Sequence, residues 1–298
     1  LQRIYRTGLS IFSCTYPSSA IPAKMRRNSI SEFAKRFKKP FSRPGELATV
    51  VLRYTLHSLR LLCFALTHHS GRQQRELGIV PRVPLPLYTI WGVAQILGLK
   101  LVPRPCAKTL LWLDLTKILP ERTSEASLRY INGNCLDISK TKVGEVFGTV
   151  FGRALAVDPT TYGGLLVEKS ETNGVHDGRI VKGPLTEAKE GCSYQRFVDN
   201  TTGEGYVEDL RVLIVGNTLP LVYRKRRLAT RRFESSSITA HVELPDQVFS
   251  TTEQEQILSF SRVLGLDFGE LDVLRDKESQ EIYIVDANKT SISPPISM

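Results

Sequence analysis

The stretch Leu264-Gly265-Leu266-Asp267-Phe268-Gly269-Glu270-Leu271-Asp272-Val273-Leu274-Arg275 runs through the polar turn 276–280 into Glu281-Ile282-Tyr283-Ile284-Val285-Asp286-Ala287-Asn288. Two runs of β-branched, aromatic and leucine residues, roughly Gly269 to Arg275 and Glu281 to Asn288, flank a short polar turn, which is the pattern of a β-hairpin. Side chains alternate between the two faces of a strand. Ile282, Ile284, Asp286 and Asn288 are therefore expected on one face, with Tyr283 and Val285 on the other. If Arg275 pairs with Glu281, Asp272 lies opposite Ile284 and diagonal to Asp286, and the three polar side chains project together. Two carboxylates and an amide oxygen make a hard, anionic oxygen site of the kind Mg²⁺ prefers, its other positions going to water and phosphate. The same residues also read as solvated positions on an edge strand. Against that, Asp is disfavoured inside strands, and both aspartates sit among apolar neighbours. A register slip of one residue would disperse the cluster.

Working outward, Ser250-Thr251-Thr252-Glu253 is a capping-box pattern that starts a helix, and Gly265 ends it. Leu210 to Val215 and Leu219 to Tyr223 read as a hairpin around Gly216-Asn217. Leu165-Leu166-Val167 and Arg179-Ile180-Val181 read as short strands joined by a polar loop. Earlier, Leu110 to Leu115 reads as a buried strand and Tyr88 to Leu97 as a short helix stopped by Gly98. The region before it is helix-leaning and broken by prolines, and no βαβ opening is legible in it.

The 298 residues, 41% hydrophobic and 23% charged, describe an ordinary globular chain with a sizeable core. The net charge of +10 suits a polyanionic partner, although a basic balance alone is more often a solubility property than a nucleic-acid site. Five scattered cysteines form neither a C-x-x-C pair nor a zinc cluster, so a reducing, cytoplasmic setting is expected. Residues 1–44 contain Glu32 as their only acid. They read as a basic arm, either a targeting segment or a plain flexible terminus. Residues 47–66 are apolar but carry Arg53, His57 and Arg60, which argues for an amphipathic helix and against a membrane span.

The closing stretch resembles the C-terminal signature of the ATP-grasp superfamily, in which one strand supplies an acid and the last strand an acid-x-Asn pair. Asp286 stands where Glu is commoner. The resemblance extends upstream in order over about residues 130–292. It implies an α+β, ATP-grasp-like fold with a small antiparallel lid at about 160–200, within a nucleotide-binding region 131–298. A basic arm 1–44 and a helix-rich region 45–130 precede it. It also implies ATP and Mg²⁺ as cofactors, with Asp272, Asp286 and Asn288 on the metal. Val167-Glu168-Lys169 resembles the strand whose lysine reaches the phosphates, with loop 170–178 covering them. Gln195, Arg196, Phe197 and Val198 resemble the hinge that holds adenine through backbone groups. Arg211 resembles the arginine that faces the phosphates. Lys182 is a second phosphate candidate, and Arg224 belongs to a basic cluster (224–227, 231, 232) that reads as a solvated face or as a wall for triphosphate and carboxylate.

The activity implied is that of a carboxylate ligase, with a small-molecule or peptide carboxylate as substrate. A phosphotransferase and a catalytically silent nucleotide or polyanion binder stay open. A nucleic-acid groove is disfavoured, since only Tyr223 and Phe233 could stack bases near the basic cluster. Two departures stand out: loop 170–178 is not glycine-rich, and the N-terminal opening is not the usual one.

Overall fold

The computed structural model describes residues 75–86, 88–118, 129–234 and 239–291. The basic arm 1–44 and the amphipathic helix expected over 47–66 lie outside these residues. Among the described residues, no helix is long and apolar enough to cross a membrane. The chain divides into two compact units.

The described part of the first unit is a three-stranded parallel sheet. Strand β1 (Arg75–Val80) lies between β2 (Leu99–Val102) and β3 (Thr109–Leu111). Helix α1 (Thr89–Leu97) links β1 to β2 and ends at Gly98 in the left-handed conformation. This is a βαβ unit, where the sequence showed none. Its strands are only three to six residues long, and β1 opens on the charged pair Arg75-Glu76, so the apolar run that marks a parallel strand is cut short. Gly78 is required by close approach. A Cβ there would lie 2.5 Å from the Arg104 carbonyl oxygen, because the loop after β2 crosses directly over β1.

The second unit holds the two antiparallel sheets. The larger has the order β11-β10-β7-β8-β9, from β7 (Tyr206–Val215), β8 (Val222–Leu228), β9 (Thr239–Glu243), β10 (Phe268–Arg275) and β11 (Ile282–Asn288). The smaller has the order β5-β4-β6, from β4 (Leu165–Ser170), β5 (Arg179–Lys182) and β6 (Cys192–Arg196). Helices α2 (Lys140–Phe151), the short α3 (Pro245–Val248) and α4 (Thr251–Leu264) complete the unit, with α2 packed on α4 and β11. Val143, Val146 and Phe147 of α2 and Ile257, Phe260 and Leu264 of α4 bury their apolar stripes with Leu210, Val212, Ile214, Leu271, Val273 and Ile284.

The helix α4 forms where the capping box places it. Ser250 accepts from the Glu253 amide at 3.3 Å, and the Glu253 carboxylate accepts from the Ser250 amide at 2.8 Å. Gly265 ends it with φ 75°, and a Cβ there would also collide with Asn134 at 2.7 Å. Replacing Ser250 with alanine should lower stability by roughly 1 kcal/mol, read as a fall in the urea midpoint at unchanged slope.

The hairpin register differs from the expected one. Arg275 pairs with Ile282, not Glu281, and Val273 with Ile284. The ladder then shifts, so that Asp272 pairs with Asp286 and Glu270 with Asn288. Val285 is the extra residue of a β-bulge, which reverses the alternation beyond it. Ile284 therefore faces the core, fully buried, instead of sharing a face with Asp286. The bulge restores Asp272, Asp286 and Asn288 to one face despite the one-residue offset.

Candidate functional site

One rung of the large sheet carries Asp286, Asp272, Arg211 and Tyr223 side by side, since Asp272 pairs with Asp286 on one side and Arg211 on the other, and Arg211 pairs with Tyr223. The next rung carries Asn288, Glu270 and Leu213 on the same face. Arg211 donates to both oxygens of Asp272, Nε to Oδ1 at 2.8 Å and Nη2 to Oδ2 at 3.2 Å, and its Nη1 lies 3.4 Å from Oε2 of Glu270. Burial alone would lower the basicity of Arg211. The carboxylates of Asp272 and Glu270 outweigh it and fix the guanidinium in its charged form. Burial would likewise raise Asp272, but Arg211 and Lys225 overcome it and hold its carboxyl well below the usual carboxylate range.

The small sheet supplies the opposite wall. Val167, Lys169 and Gln195 share a face, because Val167 pairs with Gln195 and strand alternation returns to Lys169 two residues on. Lys169 Nζ donates to the Val285 carbonyl at 2.9 Å, and Gln195 Nε2 reaches the same oxygen at 3.5 Å. That oxygen belongs to the bulged residue, so the irregularity in β11 serves as the seat for the small sheet. Burial pulls the Lys169 ammonium down to about 8, with Asp286 opposing and Lys140 adding to the effect. Lys225, nearly buried in β8, is brought to about 8 by burial and by Arg211.

Lys140, which the sequence reading passed over, completes the cluster. It is the first residue of α2, after the N-cap Ser139. Its buried ammonium lies 3.2 Å from Asp286 Oδ1 and 3.2 Å from Asn173 Oδ1. In sequence, a lysine one place after a serine that starts a helix carries no sign of a ligand role. Glu270 was also missed, and Lys225 was named only as one member of the basic cluster 224–227. Lys225 lies on the face of Arg211, because its partner Asp209 is two residues from Arg211 on β7.

Arg224 is a correction. It pairs with Leu210, so it stands on the opposite face of the sheet from Arg211 and Asp272. Its guanidinium is held by Glu243, at 2.6 and 3.0 Å, and by Glu208. Arg226 shares Glu208 at 3.0 Å, so part of the basic cluster is internally neutralised rather than arrayed as a wall. Lys182 is exposed on the edge strand, opposite Leu165 and at the far end of β4 from Lys169, and does not join the cluster.

Of the expected hinge, Gln195 joins the site face, whereas the Arg196 guanidinium lies 5.6 Å from the Tyr283 ring centre. The amides of Arg196 and Phe197 are committed to Leu155 and Leu165, and the Val198 carbonyl accepts from Arg232 at 3.1 Å. A base seated there has other backbone groups of this segment to use than those two amides. Arg232 also stacks over the Phe197 ring at 4.6 Å.

Among the described residues, no three His, Cys, Asp or Glu side chains are gathered closely enough to hold a metal unaided. Mg²⁺ does not ask for that. It is commonly held by one or two carboxylates, with phosphate and water filling the octahedron. Two carboxylates and an amide oxygen on one sheet face, with Lys140, Lys169 and Arg211 beside them, fit Mg²⁺ by the chemistry of the donor set.

No protein-family model matches the chain, and no curated protein does. Solved structures do. An L-amino acid ligase from Bacillus licheniformis is 15% identical over 74% of this chain and 68% of its own, with a TM-score of 0.45. A RimK domain ATP-grasp protein from Sphaerobacter thermophilus is 12% identical over 73% and 92%, with a TM-score of 0.39. The ATP-grasp ligase PsnB, solved with a variant of its minimal precursor, Mg and ADP, is 13% identical over 52% of this chain, with a TM-score of 0.36. This chain spans about half the length of PsnB. Of these three, one is described as an ATP-grasp ligase, one as an ATP-grasp domain protein and one as an L-amino acid ligase.

Proposed function

We propose that the second unit binds ATP with Mg²⁺ between its two sheets and uses it to activate a substrate carboxylate as an acyl phosphate, which an amine or similar nucleophile then attacks. The observation that carries this reading is the meeting of Lys140, Lys169 and Arg211, from three separate elements, around Asp272 and Asp286 on one sheet face.

Each residue has a stated task. Asp272, Asp286 and Asn288 are the oxygen donors that would hold Mg²⁺. The bound ion, when present, neutralises and orients the β and γ phosphates. Lys140 and Lys169 bind phosphate oxygens, with Lys169 kept in place by the Val285 carbonyl. Arg211, clamped between Asp272 and Glu270, presents fixed positive charge where negative charge develops, so no reorganisation is needed at the moment of transfer. The γ-phosphoryl group passes to the carboxylate and ADP departs. The nucleophile then attacks the acyl carbon, loses its proton and expels inorganic phosphate. Positioning and charge stabilisation, rather than covalent work by the protein, account for this chemistry. Val167 and the half-exposed Ile180 opposite it offer an apolar shelf for the base.

A thermal-shift titration tests the reading. ATP with Mg²⁺ should raise the melting temperature with a saturating dependence on concentration, by mass action, and ATP with EDTA should raise it much less. Equal shifts with inorganic phosphate alone, or none with MgATP, would remove the proposal. Products of AMP and pyrophosphate would refute the acyl-phosphate route in particular.

A further inference from the structure

The loop between β4 and β5 is tied down in a manner that the nucleotide reading does not use. Glu171 places its carboxylate at the first turn of α2, where Oε2 accepts from the Thr141 amide at 3.2 Å and Oε1 from the Thr141 hydroxyl. Two residues on, Asn173 makes three bonds. Its Oδ1 accepts from Lys140 Nζ at 3.2 Å, its Nδ2 donates to the Ala287 carbonyl at 3.4 Å, and its amide donates to Thr116 Oγ1 at 2.9 Å. The loop is thereby fastened to the start of α2, to residue 116 and to the strand that carries Asp286.

The chemistry of these contacts is that of a phosphate. A carboxylate on a helix-start amide and hydroxyl offers anionic oxygens to the positive end of the helix dipole. An amide oxygen on Lys140 takes a donor that would otherwise face an anionic ligand. Lys140 is also the lysine that touches Asp286, so the loop contacts the cluster directly.

We infer that residues 171–173 form an internal latch, in which Glu171 and Asn173 shut the small sheet over the site by engaging the groups at the start of α2 that an incoming polyphosphate must recruit. The competition half of this inference rests on the proposed nucleotide site; the latch does not. An entering triphosphate has to displace Asn173 from Lys140 and release Glu171 from Thr141, so the loop sets a threshold for nucleotide binding. Weakening the latch should then raise affinity, the opposite of what removing a binding residue does.

The test uses the full chain in two arms. In the first, hydrogen exchange of the amides of residues 170–178 and of Thr141 is followed without nucleotide in the wild type, Glu171→Ala, Asn173→Ala and the control Val175→Ala, an exposed residue of the same loop. Exchange should quicken roughly tenfold in the first two variants, the size of one charge-assisted hydrogen bond, and stay unchanged in the control. Wild-type exchange in both variants would overturn the latch. In the second arm, MgATP affinity is measured by calorimetry. Several-fold tighter binding by Glu171→Ala supports the competition, and unchanged or weaker binding overturns it. If MgATP binds none of the proteins, the nucleotide reading fails and takes the competition with it, while the exchange arm still decides the latch.

Discussion

Replacing Arg211 with methionine is expected to cost about 3–5 kcal/mol of folding stability, the penalty for removing the cation from a buried ion pair. Glu270 is 1% exposed and Asp272 about a quarter exposed, and one guanidinium serves both. Methionine fills similar space but returns no charge, so the loss comes from the two acids, and a urea titration should show the midpoint fall sharply. The double replacement Arg211→Met with Glu270→Gln should recover part of it, since the more deeply buried charge is then gone as well. The pH dependence supplies a second readout. Asp272 is held below its ordinary range by Arg211, so its contribution to stability is complete above the unfolded carboxylate value, about pH 4, and is lost as the pH falls toward the folded value. The variant should lack this acid limb: its stability should change less than that of the wild type on acidification below about pH 4. An unaltered midpoint would show that the clamp carries no net stability.

The second large effect is expected from Asp286→Asn, and it should appear in chemistry rather than in folding. Asp286 is partly exposed, and asparagine keeps a side-chain oxygen for the buried Lys140, which Asn173 also holds, so stability should fall by roughly 1–2 kcal/mol, short of the Arg211→Met loss. Turnover of ATP, by contrast, should drop on the order of 100-fold or more, because a neutral amide neither draws Mg²⁺ to the phosphates nor balances Lys140 and Lys169. The contrast between the two variants separates a group that serves both the sheet and the ligand from one that serves the ligand alone. Retained turnover in Asp286→Asn would contradict the assignment of the metal donors. Tighter binding of ATP without Mg²⁺ by the same variant, with one negative charge fewer, would favour a polyanion binder over a ligase.

Much of this could be read before any coordinates, and the rest failed for identifiable reasons. The helix α4 was legible from both ends, because a capping box and a terminal glycine act through backbone groups a few residues away. The strands of the closing hairpin were legible to within a residue. Their pairing was not, since a bulge is a property of two strands together and Val285 differs in no way from a regular strand valine. The same limit explains Arg224 and Lys225. A run of four cations states no phase, and only the pairing of Leu210 with Arg224 and Asp209 with Lys225 shows which of them faces Arg211. Lys140 was overlooked because a helix-start lysine reads as an ordinary solvated residue until β11 and loop 171–173 are seen to converge on it. The βαβ opening went unrecognised since its short strands bury too few residues to leave a run.

The offset at Val285 has one more implication, about which changes the chain can tolerate. Most loops accept insertion or deletion at small cost, and most core positions accept another residue of similar size. Here an excision would act through the main chain. Without Val285 the ladder would run unbroken, Ile284 still opposite Val273 and Asp286 still opposite Asp272, so the acid would keep its side. What would vanish is the protruding carbonyl on which Lys169 and Gln195 rest, so the surplus residue is held for an oxygen that any amino acid could supply, and the position is constrained in number before it is constrained in kind.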